Sequence, residues 1–118
     1  MKCTICQHQM SIRRFDCPGC GVRYEGEFTQ PRLARLPAEM QQLAEQVLLA
    51  GGNLKEVSAW QDVSYPTLRK RVDALIAALE DLRRADDKEV ARLLGEVENG
   101  RIQPEYAARR ISEIQHGS

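Results

Sequence analysis

Four cysteines near the N-terminus fall into two Cys-x-x-Cys pairs, Cys3/Cys6 and Cys17/Cys20, and no other residues in the chain constrain its chemistry so tightly. Two sulfurs three residues apart on one tight turn bind a single ion together. Two such turns complete the tetrahedral all-sulfur shell that Zn²⁺ favours. In a knuckle of this kind the backbone N–H groups after each pair point back at the thiolates, and Gly19 and Gly21 supply the dihedrals this requires. The ten residues between the pairs leave room for one hairpin. The expectation is a zinc ribbon with Cys3, Cys6, Cys17 and Cys20 as ligands. The metal is expected to be structural Zn²⁺, because the apolar residues of the segment (Ile5, Ile12, Phe15, Val22, Tyr24) are too few to fold it.

Three other readings of the same residues compete with this one. A disulfide framework needs an oxidising compartment, whereas Met1-Lys2-Cys3 has no apolar signal segment and the expected location is the reducing cytoplasm. A thioredoxin-like redox pair needs a βαβ pattern that the surrounding sequence lacks, although metal release on oxidation stays open. His8 is a further candidate ligand, but with four thiolates at hand it reads as a surface histidine. Hydrolytic zinc chemistry requires an open coordination position, which four cysteines fill. His8 and His116 lie near opposite ends, and neither a Gly-rich phosphate loop nor a nucleophile elbow is present. The chain is therefore expected not to be an enzyme.

What must position these cysteines is mostly helix. The 118 residues suit one domain or two small ones, and no apolar run approaches the roughly 20 residues needed to cross a membrane. Seventeen basic residues balance seventeen acidic ones, so binding to a polyanion must rest on local patches. Val22 to Phe28 alternates as a half-buried strand would, and Gln30-Pro31 ends it. From Pro37, apolar residues Met40, Leu43, Ala44, Val47 and Leu48 recur at helical spacing until Gly51-Gly52. Asn53 caps a short helix from Leu54 that carries Trp60 near its end, and Ser64 caps a longer one with Pro66 in its first turn. Helix, short helix, tight turn and long helix make a helix-turn-helix unit.

Gly52-Asn53-Leu54-Lys55-Glu56-Val57 followed by Val63-Ser64-Tyr65-Pro66-Thr67-Leu68-Arg69-Lys70-Arg71-Val72 resembles the C-terminal helix-turn-helix of Fis and the enhancer-binding activators. With the N-terminal cysteines and Leu33-Ala34-Arg35-Leu36, the first eighty residues resemble a bacterial family catalogued as domain of unknown function 2089. The resemblance implies a partner, double-stranded DNA, and a recognition helix whose first two turns present Ser64, Tyr65, Thr67, Arg69, Lys70 and Arg71, with Leu68 and Val72 facing inward. Two departures bear on this. Asp62 stands where the pattern has glycine, which puts a negative charge near the groove-facing end, and Tyr65-Pro66 replaces a small or basic pair.

A neutral monomer binds duplex weakly, so a homo-oligomer, dimer or higher, is expected. Leu68, Val72, Leu75, Leu79 and Leu82 repeat at spacings of four and three, the stripe of a coiled coil and equally of a helix whose Leu68 and Val72 enter the three-helix core while the remainder packs on the C-terminal segment. After Ala85, Asp86-Asp87 reads as the cap of another helix carrying Val90, Leu93, Leu94 and Val97. Asn99-Gly100 ends it, and Ile102-Gln103-Pro104-Glu105 opens the last, with Ile111 and Ile114 on one face. This segment is similar to short C-terminal oligomerisation hairpins of bacteria. With five basic and seven acidic residues it is not expected to touch DNA.

The expected fold is mainly α: a β zinc ribbon over 1–30, a helix-turn-helix domain over 36–85 and a helical hairpin over 86–116. Leu75, Leu79, Leu82, Leu93, Val97 and Ile111 are the candidate oligomer contacts. The functional expectation is a cytoplasmic, sequence-specific DNA-binding transcription regulator. The alternative is an adaptor whose ribbon and hairpin bind a protein partner and whose helix-turn-helix meets no nucleic acid.

Overall fold

The computed structural model describes residues 1–116. Two antiparallel strands, β1 (Ile12–Asp16) and β2 (Arg23–Phe28), are followed by α1 (Arg32–Arg35), α2 (Ala38–Leu49), α3 (Leu54–Gln61), α4 (Tyr65–Glu98) and α5 (Pro104–His116). The fold is mainly helical with a small N-terminal sheet, as expected. The chain divides into two compact units, one comprising Met1–Pro31 with the chain from Asp86 onward, the other Arg32–Ala85.

The second unit is the helix-turn-helix. Its core gathers Leu36, Leu43, Val57, Leu68, Val72 and Leu75, with Met40, Val47, Leu54, Val63, Leu79 and Leu82 packed around them. Val57 and Leu68 are completely buried, one from each helix of the motif. Each helix starts and stops where its local chemistry dictates. The Asn53 carboxamide oxygen accepts from the Glu56 N–H at 3.3 Å, filling one of the donors a helix start leaves over. Ser64 Oγ accepts from the Thr67 N–H at 3.3 Å and caps α4 in the same way. Between them Asp62 adopts φ 54°, ψ 48°, so that its own N–H reaches Ala59 O while the Val63 N–H reaches Ser58 O at 3.0 Å. This paired closure is how a left-handed residue ends a helix and turns the chain.

The first unit joins the N- and C-terminal segments. Phe15 pairs with Tyr24 across the sheet, Asp16 with Arg23, and the register slips between Ile12 and Arg14. Among residues 1–31 none is buried. The buried residues of this unit, Asp86, Leu93 and Ala107, all come from α4 and α5. Thr29, just past β2, accepts from Arg110 Nη1 at 3.1 Å, and Arg110 donates to Glu113 at 2.6 Å, so the end of the ribbon is tied to α5. Gly100 (φ +70°) and the Arg101 N–H bond to Glu96 O at 2.9 Å close the turn before α5.

One expectation is corrected. Asp86-Asp87 does not start a helix; α4 runs unbroken for 34 residues from Tyr65 to Glu98. Arg83-Arg84-Ala85 and Lys88-Glu89 on either side are strong helix formers, no proline follows Pro66 until Pro104, and Asp86 is buried within the helix rather than exposed at its end. A capping residue stops a helix only where the chain has a reason to leave it. The short α1 over Arg32–Arg35 was not anticipated. Two hydrogen bonds from the Gln41 side chain, to Leu36 O at 2.7 Å and Ala34 O at 3.1 Å, fix its end against α2.

Candidate metal centre and nucleic-acid interface

The two cysteine pairs build the same turn twice. In the first, the Gln7 N–H donates to Cys3 O at 2.9 Å and the Cys3 N–H to His8 O at 2.8 Å. In the second, the Gly21 N–H donates to Cys17 O and the Cys17 N–H to Val22 O, both at 2.8 Å. The residue after each pair is left-handed, Gln7 at φ 63° and Gly21 at φ 78°. The first turn is closed by a bridge between Lys2 and Gln9, and the second lies in the connection between β1 and β2. His8 therefore contributes its backbone carbonyl to the first knuckle.

These turns aim donors at sulfur. The Ile5 N–H lies 3.4 Å from Cys3 Sγ. The Cys3 thiol is held below its ordinary pKa first by the backbone N–H of Cys6, then by that of Ile5 and by the Cys6 side chain. The Cys17 thiol is lowered in the same way by the N–H groups of Cys20 and Gly19 and by the Cys20 side chain. Both turns thus favour the thiolate, the form that binds metal. The cysteines are free, with Cys3 and Cys17 half-buried and Cys6 and Cys20 exposed. Each pair is drawn together, but among the described residues no group of three or more Cys, His, Asp or Glu side chains stands at metal-holding spacing. The donor set itself fits Zn²⁺: four sulfurs on two preformed thiolate-favouring turns, in a segment where Ile5 is 92% and Tyr24 63% exposed and no apolar core competes with metal for the task of holding the hairpin.

At the start of α4 the six side chains expected to face DNA are all exposed, while Leu68 and Val72, which share their turns, are buried. Ser64 and Thr67 hydrogen-bond one another at 2.9 Å. The three cations differ. Arg69 lies 3.4 Å from Asp73, which offsets part of its charge, whereas Arg71 donates to the neutral Gln61 Oε1 at 2.7 Å, and Gln61 in turn donates to Gln46 Oε1 at 2.7 Å. Lys70, between them, is exposed. Gln46 and Gln61 escaped the sequence reading, since nothing in the spacing of two glutamines fifteen residues apart signals that they meet.

The candidate oligomer contacts are distributed differently. Leu75 is buried in the helix-turn-helix core, and Leu79 and Leu82 pack against it within the same chain, because a stripe at spacings of three and four serves an intramolecular neighbour as well as an external one. Leu93 is buried in the other unit, and Val97 and Ile111 are half-buried there.

A four-cysteine ribbon of two knuckles joined to a helix-turn-helix defines this as a zinc-ribbon and helix-turn-helix protein. The family description "Domain of unknown function (DUF2089)-HTH" matches residues 36–81, and "DUF2089 zinc ribbon" matches residues 3–34. The chain belongs to the DUF2089 family. No curated protein and no solved structure matches it, and residues 82–118 lie outside both matched segments. No helix among the described residues is long and apolar enough to cross a membrane.

Proposed function

We propose that the chain is a sequence-specific DNA-binding transcription regulator of the cytoplasm that acts as an oligomer and carries a structural Zn²⁺ in its ribbon. The observation that carries this reading is the division of the first two turns of α4: Ser64, Tyr65, Thr67, Arg69, Lys70 and Arg71 are exposed while Leu68 and Val72 are buried. A helix anchored in this way presents hydroxyls and cations suited to phosphate oxygens, and guanidinium groups suited to guanine edges. Lys70 and Arg71 supply most of the charge, since Asp73 draws on Arg69. Cys3, Cys6, Cys17 and Cys20 would hold the metal, which when bound clamps the two knuckles together; no catalytic role is assigned to any residue. Because the stripe on α4 up to Leu82 is taken up by the core, self-association is assigned to the segment after Ala85, where Val97 and Ile111 remain half-buried.

Selection of bound fragments from random duplex DNA tests the reading together with its symmetry. An enriched sequence, palindromic if the active form is a two-fold dimer, is the expected result. Arg69→Ala with Lys70→Ala should then weaken binding and flatten its salt dependence. No enrichment, together with no binding at low salt, would leave the adaptor reading. That reading is favoured by one observation: Phe15 and Tyr24, paired across β1 and β2, are half or more exposed, and adjacent exposed apolar groups are what a protein partner covers.

A further inference from the structure

Arg69 and Arg71 at the start of α4 are held by different chemistry, one by the Asp73 carboxylate and the other by the Gln61 amide. We infer that Gln61, oriented by Gln46, is a positioning residue that presets Arg71 for contact with nucleic acid; this rests on the DNA-binding reading given above. The Gln46 Oε1 accepts from Gln61 Nε2 at 2.7 Å. That contact fixes the polarity of the Gln61 carboxamide, so that its oxygen faces Arg71 and accepts from Nη1 at 2.7 Å. A guanidinium carries five N–H donors in a rigid fork, and one bond at Nη1 leaves the rest of the fork available.

The neutral acceptor is the decisive feature. A carboxylate in the place of Gln61 would hold Arg71 as well but cancel its charge, as Asp73 does in part for Arg69 at 3.4 Å. An amide restrains the side chain and leaves its full charge for a phosphate. Restraint is needed here because Arg71 borders an open cleft of about 560 Å³, lined also by Met40, Leu43 and Ala74, into which an unrestrained side chain can swing. Three helices contribute to the relay, Gln46 from α2, Gln61 from α3 and Arg71 from α4. The same contact that tunes Arg71 therefore also reports the packing of the motif.

The test is a double-mutant cycle on the full-length, zinc-loaded protein, read as duplex affinity over a range of salt concentrations. Gln61→Leu is expected to weaken binding about three- to tenfold, the cost of ordering one long side chain at the moment of binding. It should leave the salt slope unchanged, because the charge of Arg71 remains. Gln61→Glu is expected to weaken binding and also lower the slope by about one phosphate equivalent. In an Arg71→Ala background Gln61→Leu should change nothing further, and Gln46→Met should reproduce part of the Gln61→Leu loss. Thermal unfolding of each variant separates misfolding from lost positioning. If Gln61→Leu costs as much with Arg71→Ala as without it, the inference falls while the DNA-binding reading stands. If the parent protein binds no duplex at low salt, the reading falls and takes the inference with it.

Discussion

The turn between the two helices of the motif offers a perturbation whose consequences separate strain from charge. Asp62 stands at φ 54°, ψ 48° and is exposed, so a change there disturbs no packing. An L-residue in this conformation costs about 1–2 kcal/mol relative to glycine, with Asp and Asn at the low end because their side chains bond locally. Asp62→Gly removes that cost but enlarges the unfolded ensemble, which takes back about 0.5–1 kcal/mol. A net gain of about 0.5 kcal/mol is expected, roughly 2–4 °C in Tm for a domain of this size. Asp62→Ala keeps the Cβ and loses the local bonding, and should unfold about 1 kcal/mol more easily than the glycine variant. Asp62→Asn keeps the tolerance for the left-handed region and removes only the charge, so its stability should match the parent. On DNA that charge is what matters: at a separation of about 10 Å in water, Coulomb's law gives about 0.4 kcal/mol per phosphate, a twofold gain in affinity at low salt that fades as screening rises. Urea and thermal unfolding followed by helical circular dichroism, with fluorescence anisotropy on labelled duplex, measure the two effects separately. Equal stability of the alanine and glycine variants would refute the left-handed turn.

Three other outcomes are expected. Cys17→Ser, or chelation of zinc, should remove amide-exchange protection from residues 1–28 and leave the helices of 36–84 intact; an ordered, protected N-terminus without metal would contradict the ribbon's dependence on it. Leu68→Ala and Leu75→Ala should each cost about 2–5 kcal/mol of stability, the range for emptying a buried leucine site, whereas a Leu75→Ala protein that merely dissociates at unchanged stability would make Leu75 an intersubunit contact. Glu89 accepts two hydrogen bonds from Arg92, which hold its carboxyl below the ordinary glutamate pKa with a smaller contribution from Arg110. A group with a depressed folded pKa stabilises fully above its unfolded pKa and loses that contribution as pH falls through the folded value. Glu89→Gln should therefore lower stability at neutral pH, flatten the acid limb of the profile, and cost progressively less as pH falls through the folded pKa of Glu89.

The parts of this structure that were legible in the sequence are those set by local chemistry. The cysteine spacing, the Asn53 and Ser64 caps and the double-glycine stop after α2 act over a few residues, and each is where it was expected. What stayed hidden depends on encounters between distant segments. The leucine stripe on α4 is equally consistent with a neighbour inside the chain or outside it, and only the placement of Leu36, Leu43 and Val57 decides in favour of the core. Asp86 has the identity of a cap and the burial of an interior residue. Gln46 and Gln61 are unremarkable singly, and Thr29 meets Arg110 across 81 residues that give no hint of it. The left-handed Gln7 is a milder case: the position corresponds to Gly21 in the second knuckle, but only the shared hydrogen-bond pattern shows that the two turns are equivalent.

The ribbon's tie to α5 bears on how the chain comes into being. The ribosome delivers the cysteines well before Arg110 and Glu113, and the entire helix-turn-helix emerges between them. For most of translation the N-terminal hairpin has no protein surface to lean on and contains no buried residue of its own. A nascent chain starved of metal should therefore be vulnerable to proteases in its cysteine segment, even while the domain behind it is already folded.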